Sequence, residues 1–92
     1  MVAEAALLSE DQDSLTLGGH QTADSIQMSA IAQVDVATGL LLFAKTSQKA
    51  DSIKAITRKS SDVSSLVALA TTSVSEKKGY LLFVSEATGD LL

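Results

Sequence analysis

The chain has 92 residues, a hydrophobic fraction of 46% and a formal net charge of −4. This length and composition predict one folded domain over residues 1–92 and exclude an intrinsically disordered chain. Cysteine is absent and histidine occurs once, which excludes disulfides, thiolate metal sites and cysteine nucleophiles. No apolar run approaches the roughly 18 residues of a membrane helix, so we expect a soluble chain on the cytosolic side.

Charge is distributed unevenly along the sequence. The first 44 residues contain six acids and no Lys or Arg, and all seven basic residues lie within residues 45–78. The basic stretch over residues 45–59 is typical of a solvated surface and could alternatively meet an acidic partner. The acidic total disfavours duplex DNA as a ligand.

The first two elements are predicted to form a β-hairpin. Residues 2–9 are apolar, residues 10–13 form an acidic turn, and residues 14–17 alternate polar and apolar side chains before a pair of glycines.

A long helix is predicted over residues 23–45. Thr22 is the candidate N-cap, and Asp24 would lie at the positive end of the helix dipole. The apolar positions that follow are spaced by three or four residues, as one face of a helix requires. They are Ile26, Ala30, Val34, Ala37, Leu41 and Ala44.

Part of this helix has a second interpretation that the sequence leaves open. Val36, Thr38 and Gly39 are poor helix formers, and residues 34–44 could instead form a hairpin that turns at Thr38-Gly39. The nine residues VDVATGLLL from position 34 also resemble VSEATGDLL from position 84. Because two copies of nine residues are too few for a repeat protein, the match is interpreted as coincidence.

Three further strands are predicted after position 50. Residues 51–58 alternate with Ile53 and Ile56 on opposite faces, residues 63–70 are apolar on both faces, and residues 80–84 are expected at the centre of the sheet. The predicted fold class is therefore α+β: a single five-stranded antiparallel sheet with one long helix, in the order ββαβββ.

Four segments together resemble the roadblock/LC7 fold: AEAALLSEDQDSLTLGG, ADSIQMSAIAQVDVATGLLLFA, SIKAITRKSSDVSSLVAL and KKGYLLFVSEA. The similarity is to the small roadblock subunits of the Ragulator (LAMTOR) complex and of the fungal EGO complex. It covers nearly the whole chain as a pattern of strands and spacings without a diagnostic motif. The chain departs from many family members in starting almost at the first strand, and in placing Gly39 within the long helix.

The resemblance implies a non-catalytic scaffold subunit without cofactor or metal, which dimerises with another roadblock protein. Family members pair their third strands edge to edge and their long helices side by side. The corresponding helix here is residues 23–45, and the implied interface strand consists of Ile53, Lys54, Ala55, Ile56, Thr57 and Arg58.

The wider partners implied by the resemblance are a scaffold chain and, indirectly, Rag-type small GTPases for TORC1 nutrient signalling at the lysosome or vacuole. Nucleic acid binding and direct membrane insertion are not expected. The alternatives are a dynein light chain, a bacterial roadblock regulator of a Ras-like GTPase, or an unrelated structural subunit of a larger assembly.

The sequence gives little support to catalysis. His20, Ser14 or Ser25, and the acids of residues 10–13 could be arranged as a triad, but no nucleophile elbow surrounds them. The glycine pair at 18–19 lacks the context of a phosphate-binding loop. We therefore expect no enzymatic activity.

Overall fold

The protein is described by a computed structural model over residues 1–9, 12–48, 50–59, 62–72 and 78–90. These residues form seven β-strands and no helix, so the protein is all-β and the predicted α+β class is wrong. No helix that could cross a membrane occurs in this part of the chain. The strands are β1 (Val2–Leu8), β2 (Ser14–Ala23), β3 (Ile26–Asp35), β4 (Leu41–Ser47), β5 (Ser52–Lys59), β6 (Asp62–Thr72) and β7 (Lys78–Ser85).

The strands form two antiparallel sheets. The first sheet has the order β1-β2-β3-β4, and the second has the order β5-β6-β7. The pairing of β1 with β2 confirms the predicted N-terminal hairpin, and the pairing of β5 with β6 confirms the strand pair after position 50. The strand predicted at 80–84 is present as β7, but it lies at an edge of its sheet and β6 is central. Residues 10–11 and 60–61 of the predicted turns lie outside the described residues.

Most of residues 23–45 belong to a hairpin of β3 and β4, not to a helix. The predicted stripe was ambiguous because a spacing of four, as in Ile26, Ala30 and Val34, satisfies both the helical period and the strand period of two. Gly39 distinguishes the hairpin from the helix, because its φ of 72° belongs to a left-handed turn position and not to a right-handed helix. The hairpin alternative that turns at Thr38-Gly39 is therefore correct.

The predicted helix N-cap is also a turn between strands. Ala23 pairs with Ile26, which leaves Asp24 and Ser25 as a two-residue connection between β2 and β3. Their φ angles are 51° and 65°, and a type I′ hairpin turn requires positive φ at both central positions. Thr22 lies in the β2–β3 ladder, where it pairs with Gln27.

The turns after β3 and β7 have the same backbone hydrogen bonds, 50 residues apart. The amide of Gly39 donates to the carbonyl of Asp35 at 2.7 Å. In the second turn, the amide of Gly89 donates to the carbonyl of Ser85 at 2.8 Å. The two glycines have φ angles of 72° and 77°. Each turn thus favours glycine at the same place.

The side-chain contacts of the two turns also correspond. The hydroxyl of Thr38 accepts a hydrogen bond from the amide of Leu40 at 3.3 Å, and the hydroxyl of Thr88 accepts one from the amide of Asp90 at 3.3 Å. The Ala-Thr-Gly triplets at 37–39 and 87–89 therefore form turns with the same hydrogen bonds. Their match is a structural repeat, and its interpretation as coincidence is wrong.

The first strand of each sheet carries an irregularity at the same place in the repeat. The register of β1 on β2 shifts at Glu4, and the register of β5 on β6 shifts at Lys54. Because a bulge inserts one residue into a strand, it brings Ile53 and Ile56 to the same face. The predicted alternation, which put these two isoleucines on opposite faces, is wrong.

The two sheets stack face to face around one core. The side of the first sheet that contacts the second is called its front face and includes Ile31; the contacting side of the second sheet is called its back face and includes Val84. Through the 50-residue repeat, Val34 lies on the back face of the first sheet and Leu81 on the front face of the second. The second sheet therefore repeats the orientation of the first, as successive members of a stack do.

Candidate interaction surface

The contact between the sheets is apolar at its centre. Leu66, Ala68 and Ala70 of β6 are 0% exposed, and Val84 of β7 is 1% exposed. Ile31 of β3 packs against this group from the first sheet. Burial of apolar surface contributes roughly 25 cal/mol per Å², so this contact is the main attraction between the sheets.

The sheets approach closely beside Gly18 of β2. A Cβ at this position would lie 2.6 Å from Cγ2 of Ile53 and 2.7 Å from Cδ1 of Ile56. Real Cβ atoms do not tolerate such contacts, because interiors are packed to crystal-like density. The absence of a side chain on the first sheet thus makes room for two large side chains on the second.

A polar cluster joins the bulges of β1 and β5. The Glu4 carboxylate accepts hydrogen bonds from Lys54 Nζ at 2.7 Å and from the Ser52 hydroxyl, and lies 3.0 Å from His20 Nδ1. The bond from Lys54, followed by those from Ser52 and His20, lowers the pKa of Glu4 from 4.5 to about 2. The carboxylate therefore remains charged at neutral pH and holds β1 to β5.

The same cluster lacks the order of a catalytic triad. In a triad the imidazole accepts the proton of the serine and the acid orients the imidazole. Here the Ser52 hydroxyl and the His20 ring both bond to Glu4. The arrangement stabilises a carboxylate and offers no activated hydroxyl.

A second polar group ties the 86–90 turn to both sheets. Arg58 Nη2 donates to Glu86 Oε2 at 2.7 Å and to the carbonyl of Leu8 at 2.9 Å. The buried Gln33 Nε2 donates to Thr16 Oγ1 at 3.1 Å and to the carbonyl of Glu86 at 3.0 Å. These bonds connect the second sheet to the first, and the bond between Gln33 and Thr16 anchors them in the interior.

A cleft of about 210 Å³ opens between β4 and the second sheet. Its lining includes Ile31, Ile53 and Val84, with Lys45 and Asp90 paired at 2.7 Å at its rim. The hydrogen bond from Lys45, and then that from Thr88, lowers the pKa of Asp90. Cofactor and ligand sites usually measure about 300–1,000 Å³, so the cleft is smaller than a typical ligand pocket.

The six residues of the implied interface strand lie in β5, which is an edge of its sheet. The two isoleucines face the first sheet, the alanine and the threonine are exposed on the front face, and the two basic residues pair with acids of β1 and of the 86–90 turn. Most of this strand thus already contacts the first sheet, and whether it also contacts a partner stays a prediction. The six are Ile53, Lys54, Ala55, Ile56, Thr57 and Arg58.

The front face of the second sheet is apolar and exposed. Leu81 is 62% exposed, Phe83 44% and Leu69 43%. Leu82 and Val84, which alternate with Leu81 and Phe83 along β7, face the first sheet. The ladder rows on this face begin at β5 and run through β6 to β7. No residue in the two rows through Leu81 and Phe83 carries a formal charge. A contiguous apolar face of this kind is typical of an interaction surface.

The back face of the first sheet is also apolar. Leu17 of β2, Ala32 of β3 and Ala44 of β4 form one cross-strand row, and Leu15, Val34 and Leu41 form the next. Leu41 and Ala44 are exposed, whereas Ala32 at the centre of the face is 6% exposed. The described side chains on this face are uncharged as well.

The interaction surfaces were missed at the level of sequence. Ala44 was assigned to the apolar stripe of the predicted helix, and Leu69 and Leu81 were not assigned to an interface, because a strand pattern does not say which face meets another sheet. The repeated Ala-Thr-Gly triplet was the available signal. When the two halves of the chain are aligned on this triplet, Ile31 corresponds to Leu81, and the structure shows that Ile31 is buried and Leu81 is exposed.

Comparison with protein-family models, curated proteins and solved structures finds no match for this chain. The described residues also bring together no group of acids and histidine that could hold a metal ion. The class of protein defined by the fold is an all-β protein with stacked, repeated antiparallel sheets.

Proposed function

We propose that the protein is a non-catalytic interaction module made of two consecutive sheets of a β-repeat. β-Propellers are built in this way, from four-stranded antiparallel sheets arranged around an axis. Three features support the proposal: equivalent bulges at Glu4 and Lys54, equivalent turns at Gly39 and Gly89, and stacking of one back face on one front face. The first strands, β1 and β5, also lie side by side, as inner strands of neighbouring sheets do.

The exposed front face of the second sheet is the observation that carries the proposal. Ile31 on the front face of the first sheet is 6% exposed because the second sheet covers it, whereas its equivalent Leu81 is 62% exposed. A face that is a buried contact in one repeat and open in the next is suited to bind another protein surface.

The outer edge of β7 offers a second contact. In the first sheet β3 pairs with β4 on this side, whereas no described strand pairs with β7 there. Unpaired backbone groups at a sheet edge accept an added strand, which is the mechanism of β-augmentation.

The scaffold role in a Ragulator- or EGO-type complex stays a prediction, as do the small GTPases and the lysosomal location. These expectations came from a resemblance whose long helix is absent from the described residues. The fold therefore gives them no support. Among the alternatives, the structural subunit of a larger assembly is favoured by the exposed apolar faces.

A site-specific photocrosslinker tests whether the front face contacts protein in cells of the source organism. Benzoylphenylalanine replaces Phe83 on this face, and in the control it replaces Ala37 on the exposed turn after β3. We expect position 83 to give protein crosslinks that are absent at position 37 and that the additional substitution Leu81→Asp removes. Equal crosslinking at the two positions would show that the front face is not a contact surface.

A further inference from the structure

We infer that the front face of the second sheet binds the back face of the first sheet of another copy of this chain. The inference rests on the proposed interaction function and names its partner. The contact is head-to-tail, because each copy contributes a different face. It repeats between copies the contact already present within each chain.

One cross-strand row on the back face of the first sheet has the same composition as the equivalent row of the back face that is already docked. On the second sheet, Leu66 pairs with Val84 across the strands; on the first sheet, Leu15 pairs with Val34 at the equivalent place. Both rows therefore present one leucine and one valine to a neighbouring sheet.

The neighbouring row contains the same two residue types in exchanged order. Ala68 pairs with Leu82 on the second sheet, and Leu17 pairs with Ala32 on the first. The third member of each row differs, since Ile56 pairs with Ala68 and Ala6 pairs with Leu17. The row on the first sheet is therefore smaller at its two flanks, Ala6 and Ala32, and larger at its centre, Leu17.

Large and small side chains are also complementary between the front face of the second sheet and the back face of the first. Within the chain, Gly18 makes room for Ile53 and Ile56. The equivalent of Gly18 on the second sheet is Leu69, which is large, since it occupies the same ladder position beside the bulge.

The residues that would meet Leu69 are correspondingly small. The equivalents of the two isoleucines on the first sheet are Ala3 and Ala6, which pair next to Gly19 and Leu17. Within the chain, the small residue is on the front face and the large residues are on the back face. Between copies, the large residue would be on the front face and the small residues on the back face, so large would again meet small.

Head-to-tail contacts close into a ring or extend into a filament. Propellers contain about four to eight sheets, so a ring of two to four copies would contain an allowed number. The paired rows that the two faces would bring together carry no formal charge, so no like charges oppose the contact.

Sedimentation velocity of the purified full chain tests this contact with one variant on each face. Leu81→Asp charges the front face of the second sheet, and Ala44→Asp charges the back face of the first; both positions are exposed in the single chain. Ala37→Asp is the matched control, because it makes the same substitution on an exposed turn. We expect wild type and the control to form oligomers of two to four copies, or a filament where the ring does not close.

Mixing the two face variants identifies the geometry. Each variant alone should sediment as a monomer, whereas an equimolar mixture should form a one-to-one dimer, because the intact front face of one meets the intact back face of the other. Circular dichroism establishes that both variants are folded. If Leu81→Asp does not fold, Leu69→Asp replaces it on the front face. If Ala44→Asp does not fold, Leu41→Asp replaces it on the back face.

Three results would overturn the inference: a monomeric wild type, a single variant that associates like wild type, or a mixture that stays monomeric. A monomeric wild type whose position 83 still crosslinks to other proteins in cells would remove the self-contact and leave the proposed function intact. If the wild type is monomeric and position 83 gives no specific crosslinks, the proposed function is removed as well.

Discussion

Glu4 and Lys54 occupy the same position in successive sheets, at the bulge of each first strand, and they pair with one another at 2.7 Å. A bulge re-aims the side chain of its extra residue and breaks the ladder locally. Here the two bulges lie side by side, so an acid from one repeat meets a base from the next. The pair connects β1 to β5 at the edge of the apolar contact.

The stability contributed by Glu4 should depend on pH. Its folded pKa of about 2 lies below the ordinary value of 4.5, so this contribution is complete above the ordinary pKa and is lost as the pH falls toward 2. We expect the difference in unfolding free energy between wild type and Glu4→Gln to shrink over this window. Urea unfolding from pH 6 to pH 2 measures the difference. Asp24→Asn, on a two-residue turn, is the control, and an equally pH-dependent difference there would refute the assignment.

Replacing Gly39 with alanine should destabilise the protein by about 1 kcal/mol, because an L-residue pays roughly 1–2 kcal/mol for left-handed backbone. A helix over this position would instead predict stabilisation. The space around Gly39 is open, so the cost is that of the backbone alone. Thermal and urea unfolding measure it.

Gly89→Ala should cost more than Gly39→Ala. Its φ is equally positive, and a Cβ there would collide with the ring of Phe43. Gly79 in β7 is the control, since alanine meets only an ordinary contact with Leu69 and removes the entropic cost of glycine in a strand. We expect Gly79→Ala to be neutral or slightly stabilising. Equal effects at all three glycines would contradict the turn assignment.

Gln33→Leu should lower the unfolding free energy by about 1–3 kcal/mol, the usual cost of leaving buried polar partners unsatisfied. The substitution removes both donors that Gln33 provides, to the hydroxyl of Thr16 and to the carbonyl of Glu86. Gln21→Leu changes an exposed glutamine of β2 and should have a much smaller effect. If the two variants unfold at the same urea concentration, the buried amide does not link the sheets.

Gly18→Ala should destabilise the sheet contact by about 1–3 kcal/mol, as overpacking of a core commonly does. Adding Ile53→Ala removes one of the two side chains that the new Cβ would meet, so the two substitutions should be less costly together than the sum of their separate costs. A double-mutant cycle by urea unfolding measures the coupling. Strict additivity would mean that the sheets do not touch at this point.

Local sequence determined several strands and one turn. The alternation in residues 14–17 and the aromatic and aliphatic run in residues 80–84 act within a few residues of one another, so β2 and β7 could be predicted from sequence alone. The poor helix formers around Gly39 likewise indicated the hairpin as an alternative. Spacings of four residues could not decide between helix and strand, because both periods accommodate them.

Tertiary structure alone decided the bulges, the faces and the stacking. Nothing around Lys54 distinguishes a bulge, and the bulge reverses the face of Ile53 relative to Ile56. Whether Leu81 or Val84 is buried depends on a sheet formed 50 residues earlier in the chain. A strand pattern specifies two faces by its period of two, but only the packing of another sheet selects the one that loses its water.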